Sequence, residues 1–175
     1  PAVDSPVFQL VEGLPVPELD HTKTDVFRER VQYSREVKER LAQARDRKDG
    51  VEGLREVERG LGDVADVEAG VVIDLFLSYR SVKAWKDMLR LAERMSRPVR
   101  DSVLVEEQVA LALNRDGQGE QAERVLLRLI ERRGPSSETY GILGRVYKDR
   151  YEAARDGGRD VLARGLLAQA LAAYL

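Results

Sequence analysis

Several residue types on which catalytic and metal sites depend are rare or missing in this chain. The 175 residues contain no cysteine, one histidine and one tryptophan. Without cysteine the chain has no disulfide, no thiolate nucleophile and no cysteine-bound zinc or iron–sulfur cluster. A single histidine, His21, excludes a metal site that needs two of them. We therefore expect no metal ion and no cofactor.

The charge of the chain is nearly balanced. Twenty-nine lysines and arginines stand against 31 aspartates and glutamates, which leaves a net charge of −2 at pH 7. A general nucleic-acid binder needs a concentrated basic surface, so this balance predicts that nucleic acid is not a partner. Twenty-three of the basic residues are arginine. That usage suits the recognition of carboxylates, and a coding bias towards arginine explains it as well.

Long hydrophobic runs are also missing. No apolar run approaches the ~18 residues that span a bilayer. The first residues lack the basic and apolar regions of a signal peptide. We therefore expect a cytoplasmic protein that does not contact a membrane.

The two ends of the chain differ in composition from the rest. Four of the six prolines lie within the first 17 residues, where the backbone is expected to be extended or irregular. We interpret residues 1–20 as a proline-rich linker or the tail of an upstream domain, with a possible strand at Val7–Val11. Because the chain starts without methionine and ends on an apolar run, we expect residues 21–175 to be a helical domain truncated at its C-terminal end.

After Asp20, apolar residues recur at every third or fourth position, the period of an amphipathic helix. This period predicts about eight helices joined by short links, and hence an all-α protein of antiparallel helix pairs. Val71–Leu77 is rich in β-forming residues and could form a buried strand. A helix from Asp63 to Arg80 is favoured, because Asp74 would be costly in a strand buried on both faces.

Polar residues, glycines and prolines predict where several helices start and end. Ser81, Ser136 and Asp160 are predicted N-caps, since their side chains can accept a hydrogen bond from the first helical turn. Gly50 is predicted to end the first helix. Pro98 is predicted to break the helical pattern after Met95.

A repeated pattern in the second half predicts a solenoid of helical hairpins that resembles the tetratricopeptide repeat. The first helix of that repeat carries an aromatic, a leucine, a small residue and a tyrosine, and its second helix carries an alanine at the close contact. The alanines are separated by 38 and then 48 positions, against about 34 in a regular repeat. An ordinary helical bundle is the alternative. The residues at these repeat positions are Tyr140, Leu143, Gly144, Tyr147, Ala84, Ala122 and Ala170.

The stretch Arg133–Asp149, followed by Ala170–Tyr174, resembles the TRAFs-binding domain family. This family includes the central regulatory region of the apoptosis signal-regulating kinases and has many bacterial members. The strongest part of the resemblance is Gly144–Asp149, which reads GRVYKD, and His21–Phe27 is also similar to the bacterial members. The likeness covers about residues 20–175.

The resemblance implies a tetratricopeptide-like solenoid that serves regulation and partner binding. The chain has none of the kinase motifs: no V-A-I-K lysine after a glycine-rich loop, no H-R-D and no D-F-G. The arginine-rich, lysine-poor usage looks bacterial. In a bacterium such a domain would relay signals between neighbouring domains of one longer protein.

Three other patterns are better explained by helix structure than by chemistry. Gly117–Ala122 fits the dinucleotide fingerprint G-x-G-x-x-A, but a helix precedes it where that site requires a strand. The acidic run Asp63–Glu68 lacks the glycine and the distal glutamate of a calcium loop, so a capped first turn explains it. His21 could act as a general base, and a surface or capping residue is the simpler reading. We therefore expect no catalytic residue in the chain.

A basic groove is the remaining candidate site. In a solenoid of this kind the first helices of successive pairs line the concave face, where basic and amide side chains can hold the carboxylates of an acidic peptide. For Arg145 and Lys148, ion pairs with Asp149 or Glu152 are the alternative. The residues assigned to this groove are Arg80, Asn114, Arg115, Arg145 and Lys148.

These observations predict a non-enzymatic interaction module that regulates or bridges protein partners in the cytoplasm. The alternative is an accessory regulatory section of an enzyme whose catalytic domain lies outside this chain. A helical-repeat nucleic-acid binder is a third reading, which the salt dependence of binding would test.

Overall fold

The structure is a computed structural model that describes residues 21–175, with side chains described from residue 28 onward. All regular elements in this range are α-helices, which confirms the all-α prediction. Nine helices lie in it, because one turn, α5, forms where Pro98 was predicted to interrupt the pattern. The interpretation of residues 1–20, including the Val7–Val11 strand, and the role of the His21 side chain lie outside the described part. The helices are α1 (His21–Asp46), α2 (Gly50–Leu61), α3 (Ala69–Ser81), α4 (Trp85–Arg94), α5 (Arg97–Arg100), α6 (Val103–Arg115), α7 (Gly119–Arg133), α8 (Ser137–Asp156) and α9 (Asp160–Tyr174).

The chain divides into two compact units, residues 1–35 and residues 36–175. In the first unit the described residues, 21–35, form the N-terminal part of α1. The second unit contains the end of α1 and all the other helices. The contacts and sites reported below lie within this second unit.

The predicted cap at Ser136 is confirmed. Its Oγ accepts a hydrogen bond from the backbone N–H of Thr139 at 3.1 Å, which satisfies one of the donors that every helix leaves unpaired in its first turn. The hydroxyls of the two residues also lie 2.8 Å apart. Helix α8 therefore begins as the sequence indicates.

Three other predicted boundaries are wrong. Ser81 is the last residue of α3, not a cap of α4, and its hydroxyl donates to the carbonyl of Ser78 at 2.7 Å. The chain then turns at Lys83, whose φ is +58°, so that Ala84 occupies the N-cap position of α4. Asp160 is the first residue of α9 and follows its cap. Gly50 begins α2, since α1 has already ended at Asp46.

Helix α3 starts at Ala69, six residues later than predicted. A carboxylate oxygen of Asp63 accepts from the backbone N–H of Ala65 at 3.1 Å, a local bond that competes with helix formation. The segment from Val71 to Leu77 is helical, as the position of Asp74 indicated.

The helices pack in chain order around two apolar clusters. Each longer helix from α2 onward contacts the next longer one, and α6 also contacts α8. The first cluster is formed by residues of helices α1, α2, α3 and α4, and the second by residues of α7, α8 and α9. Helix α6 contributes Val105 to the first cluster and Ala110 to the second. Fully buried leucines such as Leu75 and Leu126 each contribute about 1.5–3 kcal/mol. Helix α6 therefore links the two cores.

The residues assigned to the repeat pattern lie mostly inside. Ala84, Ala122 and Ala170 are buried, as are Leu143, Gly144 and Tyr147, while Tyr140 is half-buried. At Gly144 an added Cβ would lie 2.8 Å from Cζ of Tyr174, so the ring of α9 rests directly on the glycine of α8. Tyr174 itself lies at the end of α9 and is 55% exposed.

Candidate functional site

The first helices of three successive pairs, α3, α6 and α8, line one cleft of about 730 Å³. The short turn between α3 and α4 closes one side of it. Its lining combines four basic side chains, one carboxylate and an apolar floor. We refer to it as the basic cleft, and its charged residues are Arg80, Lys83, Arg115, Arg145 and Glu138.

The basic cleft carries an excess of positive charge that the described part of the chain does not neutralise. Arg80, Lys83 and Arg145 are exposed and form no ion pair with any residue between 28 and 175. Arg115 pairs with Asp149 on α8 at 3.3 Å. Guanidinium groups in such a position can form charge-assisted, often bidentate, hydrogen bonds to carboxylates.

The floor of the basic cleft is apolar. It is formed by Trp85, the only tryptophan of the chain, and by Leu77, Leu111 and Ile142, all of them half-buried. An apolar floor with a charged rim is typical of sites that anchor one or two apolar side chains of a peptide while the rim sets its charge.

Gln108 adds a polar group to the wall of the basic cleft. Its side chain is 8% exposed, and no hydrogen-bond donor within the described residues reaches its Oε1. A buried acceptor without a partner costs about 1–3 kcal/mol. A side-chain amide at the edge of a cleft can rotate to offer either its oxygen or its N–H groups to a bound chain.

Three of the five residues assigned to the groove from the sequence line the basic cleft: Arg80, Arg115 and Arg145. Asn114 is buried, and its Nδ2 donates to Asp149 at 2.6 Å, so it orients Asp149 and lies outside the lining. Lys148 lies outside as well, and its Nζ is 3.9 Å from Glu152, as the ion-pair alternative had it. That these residues bind a partner stays a prediction.

The sequence reasoning missed Lys83, Trp85 and Gln108. Lys83 enters the basic cleft because of its left-handed backbone conformation, which no sequence period reveals. Gln108 lies on α6 two turns before Arg115, so helical spacing from Arg115 was a usable signal.

A second cleft of comparable volume, about 720 Å³, lies over α6 between α4 and α7. Its basic and acidic lining residues balance, and two of its arginines are already paired. Arg132 bonds Glu106 at 2.5 Å, and Arg100 lies 3.5 Å from Asp101. This cleft therefore offers little to a charged ligand.

A buried charged cluster joins α2 to α4 and was not predicted. Glu58 of α2 is 4% exposed and accepts hydrogen bonds from Tyr79 at 2.7 Å and from Arg94 at 2.6 Å. Arg90 bonds both of its oxygens, each at 2.8 Å. Burial alone would raise the pKa of Glu58, but the hydrogen bonds from Arg90 and Tyr79 and the nearby arginine charges outweigh it and lower the pKa.

A smaller polar cluster connects α7 to α8. The hydroxyl of Tyr147 donates to Glu123 at 2.9 Å, and Arg150 pairs with the other oxygen of that carboxylate. Burial and the bond to Glu123 raise the pKa of Tyr147 to about 12. The same Arg150 side chain lies against Gly119, where an added Cβ would come within 2.8 Å of it. This cluster holds successive hairpins in register.

Helix α9 exposes apolar residues on the side away from α8. Val161 is 82% exposed and Leu171 is 57% exposed.

Among residues 28–175 no group of three or more histidine, cysteine, aspartate or glutamate side chains could hold a metal ion. No described helix is long and apolar enough to cross a membrane.

The fold and the basic cleft define a class of protein: a stack of helical hairpins with a charged, partly apolar cleft on one face, which is suited to binding other protein segments. Residues 9–174 match the model of the MAP3K TRAFs-binding domain family. The chain belongs to this family, as its GRVYKD segment indicated. No curated protein and no solved structure matches the chain. Family membership indicates a role in protein interaction and regulation.

Proposed function

We propose that this protein is a non-catalytic regulatory scaffold whose basic cleft binds an acidic segment of a protein partner or of a neighbouring domain. The observation that carries the proposal is a set of cations, Arg80, Lys83 and Arg145, that form no ion pair with any residue between 28 and 175 and lie beside an apolar floor.

The lining also indicates how the segment would bind. Carboxylates of the segment would bond Arg80 and Arg145. An apolar side chain of the segment would lie on Trp85. If the buried amide of Gln108 rotates towards the cleft, a backbone N–H of an extended segment would supply the donor that its Oε1 lacks. We propose a tetratricopeptide-like register for the hairpins and a bacterial, cytoplasmic setting, on the repeat pattern and the arginine-rich usage.

An accessory section of a larger enzyme is the alternative function, in which the basic cleft would hold a segment of the catalytic domain. Neither of the two functions requires a catalytic residue in this chain, so we expect the isolated protein to show no hydrolase or transferase turnover. Turnover lost on changing His21 would contradict the scaffold proposal.

The test is a selection from a displayed random-peptide library against the 175-residue protein. We expect enriched peptides to combine several acidic residues with a large apolar one, and their binding to weaken as salt rises. Arg145→Glu should weaken binding by about tenfold or more, since it replaces a charge-assisted bond by repulsion.

Arg164→Glu is the matched control. Arg164 is an exposed helical arginine on α9 that lies outside the basic cleft, so its reversal changes the net charge equally. Enrichment of neutral or basic peptides, or equal loss of binding in both variants, would contradict the proposal.

A further inference from the structure

Four arginines line a separate, smaller cleft of about 510 Å³ between α2 and α4. Arg55 and Arg59 come from α2, and Arg90 and Arg94 come from α4. With them lie two carboxylates, Glu58 and Asp87, and the glycine that ends α2, Gly62. We refer to it as the arginine cleft.

The carboxylates form the base of the arginine cleft and are almost fully buried, with Glu58 4% and Asp87 7% exposed. Glu58 holds Arg90 through two bonds of 2.8 Å and Arg94 through one of 2.6 Å. Asp87 holds Arg55 through bonds of 2.9 and 3.0 Å and Arg90 through one of 3.2 Å. The guanidinium groups of Arg55, Arg90 and Arg94 are therefore held by buried acceptors, and that of Arg59 is not.

The arginines keep binding capacity on their outer side. The side chains of Arg55 and Arg90 are each 45% exposed and that of Arg94 is 43% exposed. Arg94 uses only one nitrogen, Nη1, and Arg59 uses only Nη2, in a bond to the exposed Glu52. Most N–H donors of these two residues face the cleft or solvent without an acceptor among residues 28–175. Four arginines against two carboxylates also leave the lining with two excess positive charges.

Such an arrangement matches the needs of a phosphate group. A phosphate monoester carries nearly two negative charges at pH 7 and three strong acceptor oxygens, which suit several guanidinium groups at once. Holding the arginines in place beforehand lowers the conformational entropy lost on binding. A single carboxylate would satisfy fewer of the donors and neutralise less of the charge.

We propose that the arginine cleft is a binding site for a phosphate monoester group. Arg59 and Arg94 bond its oxygens directly, while Glu58 and Asp87 hold the guanidinium planes of Arg90 and Arg55. The arginine cleft is open at Gly62, since no atom lies within 4 Å of the position that an added Cβ would take there. A phosphate attached to a longer molecule can enter there.

Titration of the 175-residue protein with inorganic phosphate and with O-phosphoserine, followed by calorimetry at constant ionic strength, tests this proposal. We expect saturable binding of phosphate groups, and at least tenfold weaker binding of glutarate, which carries the same charge on carboxylates. Arg59→Gln should weaken phosphate binding about tenfold. This variant leaves the bonds of the buried carboxylates in place, because the one ion pair of Arg59 among residues 28–175 is with the exposed Glu52.

Arg97→Gln is the control, since Arg97 is 85% exposed and pairs with Asp101 away from the arginine cleft. Arg94→Gln gives a second variant, and its urea denaturation midpoint shows whether it is folded. Absence of saturable phosphate binding at millimolar concentrations would overturn the proposal and leave the arginines as a clamp between α2 and α4. Equal weakening by Arg59→Gln and Arg97→Gln would overturn it as well.

The source of the phosphate follows from comparing the probes. Equal affinity for inorganic phosphate and phosphoserine supports a site for small phosphorylated molecules or the free ion. A third probe, a peptide that contains one phosphoserine, is titrated in the same way, and its tighter binding supports a site for a phosphorylated protein segment. Arg59 lines the arginine cleft and not the basic cleft, so a loss of phosphate binding in Arg59→Gln is independent of the scaffold proposal.

Discussion

Removing one hydroxyl from the buried cluster between α2 and α4 is a sharp perturbation of this fold. Tyr79 has no exposed surface, and its hydroxyl donates to Glu58 at 2.7 Å. Tyr79→Phe keeps the ring and its packing but removes the bond. A hydrogen bond to a charged group contributes about 1.5–3 kcal/mol. Because Glu58 retains Arg90 and Arg94, we expect a loss of about 2 kcal/mol.

Urea denaturation followed by circular dichroism measures this loss. The midpoint should fall while the slope stays constant, because the surface exposed on unfolding is unchanged. For a chain of this length about 2 kcal/mol lowers the Tm by about 4–8 °C. Tyr140→Phe is the control, since the hydroxyl of Tyr140 forms no hydrogen bond within the described residues and the change should be near zero. A Tyr79→Phe variant as stable as the wild type would refute the reasoning.

Three further predictions concern stability. The lowered pKa of Glu58 means that its contribution is complete above its usual pKa of 4.5 and is lost as the pH falls through the lower folded-state value; a Glu58→Gln variant should therefore show a shallower acid dependence of the urea midpoint. Gly144→Trp should lower the Tm, because the introduced side chain would clash with the ring of Tyr174, and adding Tyr174→Ala to this variant should restore part of the loss. An unchanged Tm in Gly144→Trp would contradict the contact. Thr139→Val removes the donor that bonds buried Glu107 at 2.6 Å and should cost about 1–3 kcal/mol, whereas Thr139→Ser, compared by the same melts, should cost clearly less.

The helices could be predicted from the sequence because burial of one face places an apolar residue at every third or fourth position. Their exact ends could not. A serine near a turn can end one helix or cap the next, and the backbone conformation around it determines which of the two occurs. Ser136 caps α8. Ser81 ends α3, because the chain turns at Lys83 before α4 begins. A local bond at Asp63 likewise delayed α3 in a way that propensity does not show.

The basic cleft was partly predictable for a related reason. Arg80, Arg115 and Arg145 lie on first helices, whose faces follow from the pairing of helices. Asn114 was assigned to the same face, but its side chain is buried, where it donates to Asp149, and it lies outside the lining.

The buried cluster beneath the arginine cleft lay beyond sequence reasoning, because Arg90 and Glu58 are 32 residues apart. The one local signal was that Glu58 follows Val57 at the edge of the buried stripe of α2. A carboxylate in that position requires partners from another helix.

The most direct measurement of the central claim uses Trp85, the only tryptophan of the chain, which lies in the basic cleft. The probe is an extended peptide in which glutamates flank one leucine, titrated against the protein while the indole fluorescence is followed. We predict a saturable change in emission that weakens with salt, that requires about tenfold more peptide or more in Arg145→Glu, and that is kept in Arg164→Glu. An emission spectrum that does not change, or changes equally in the two variants, would contradict the assignment of this cleft as the partner-binding surface.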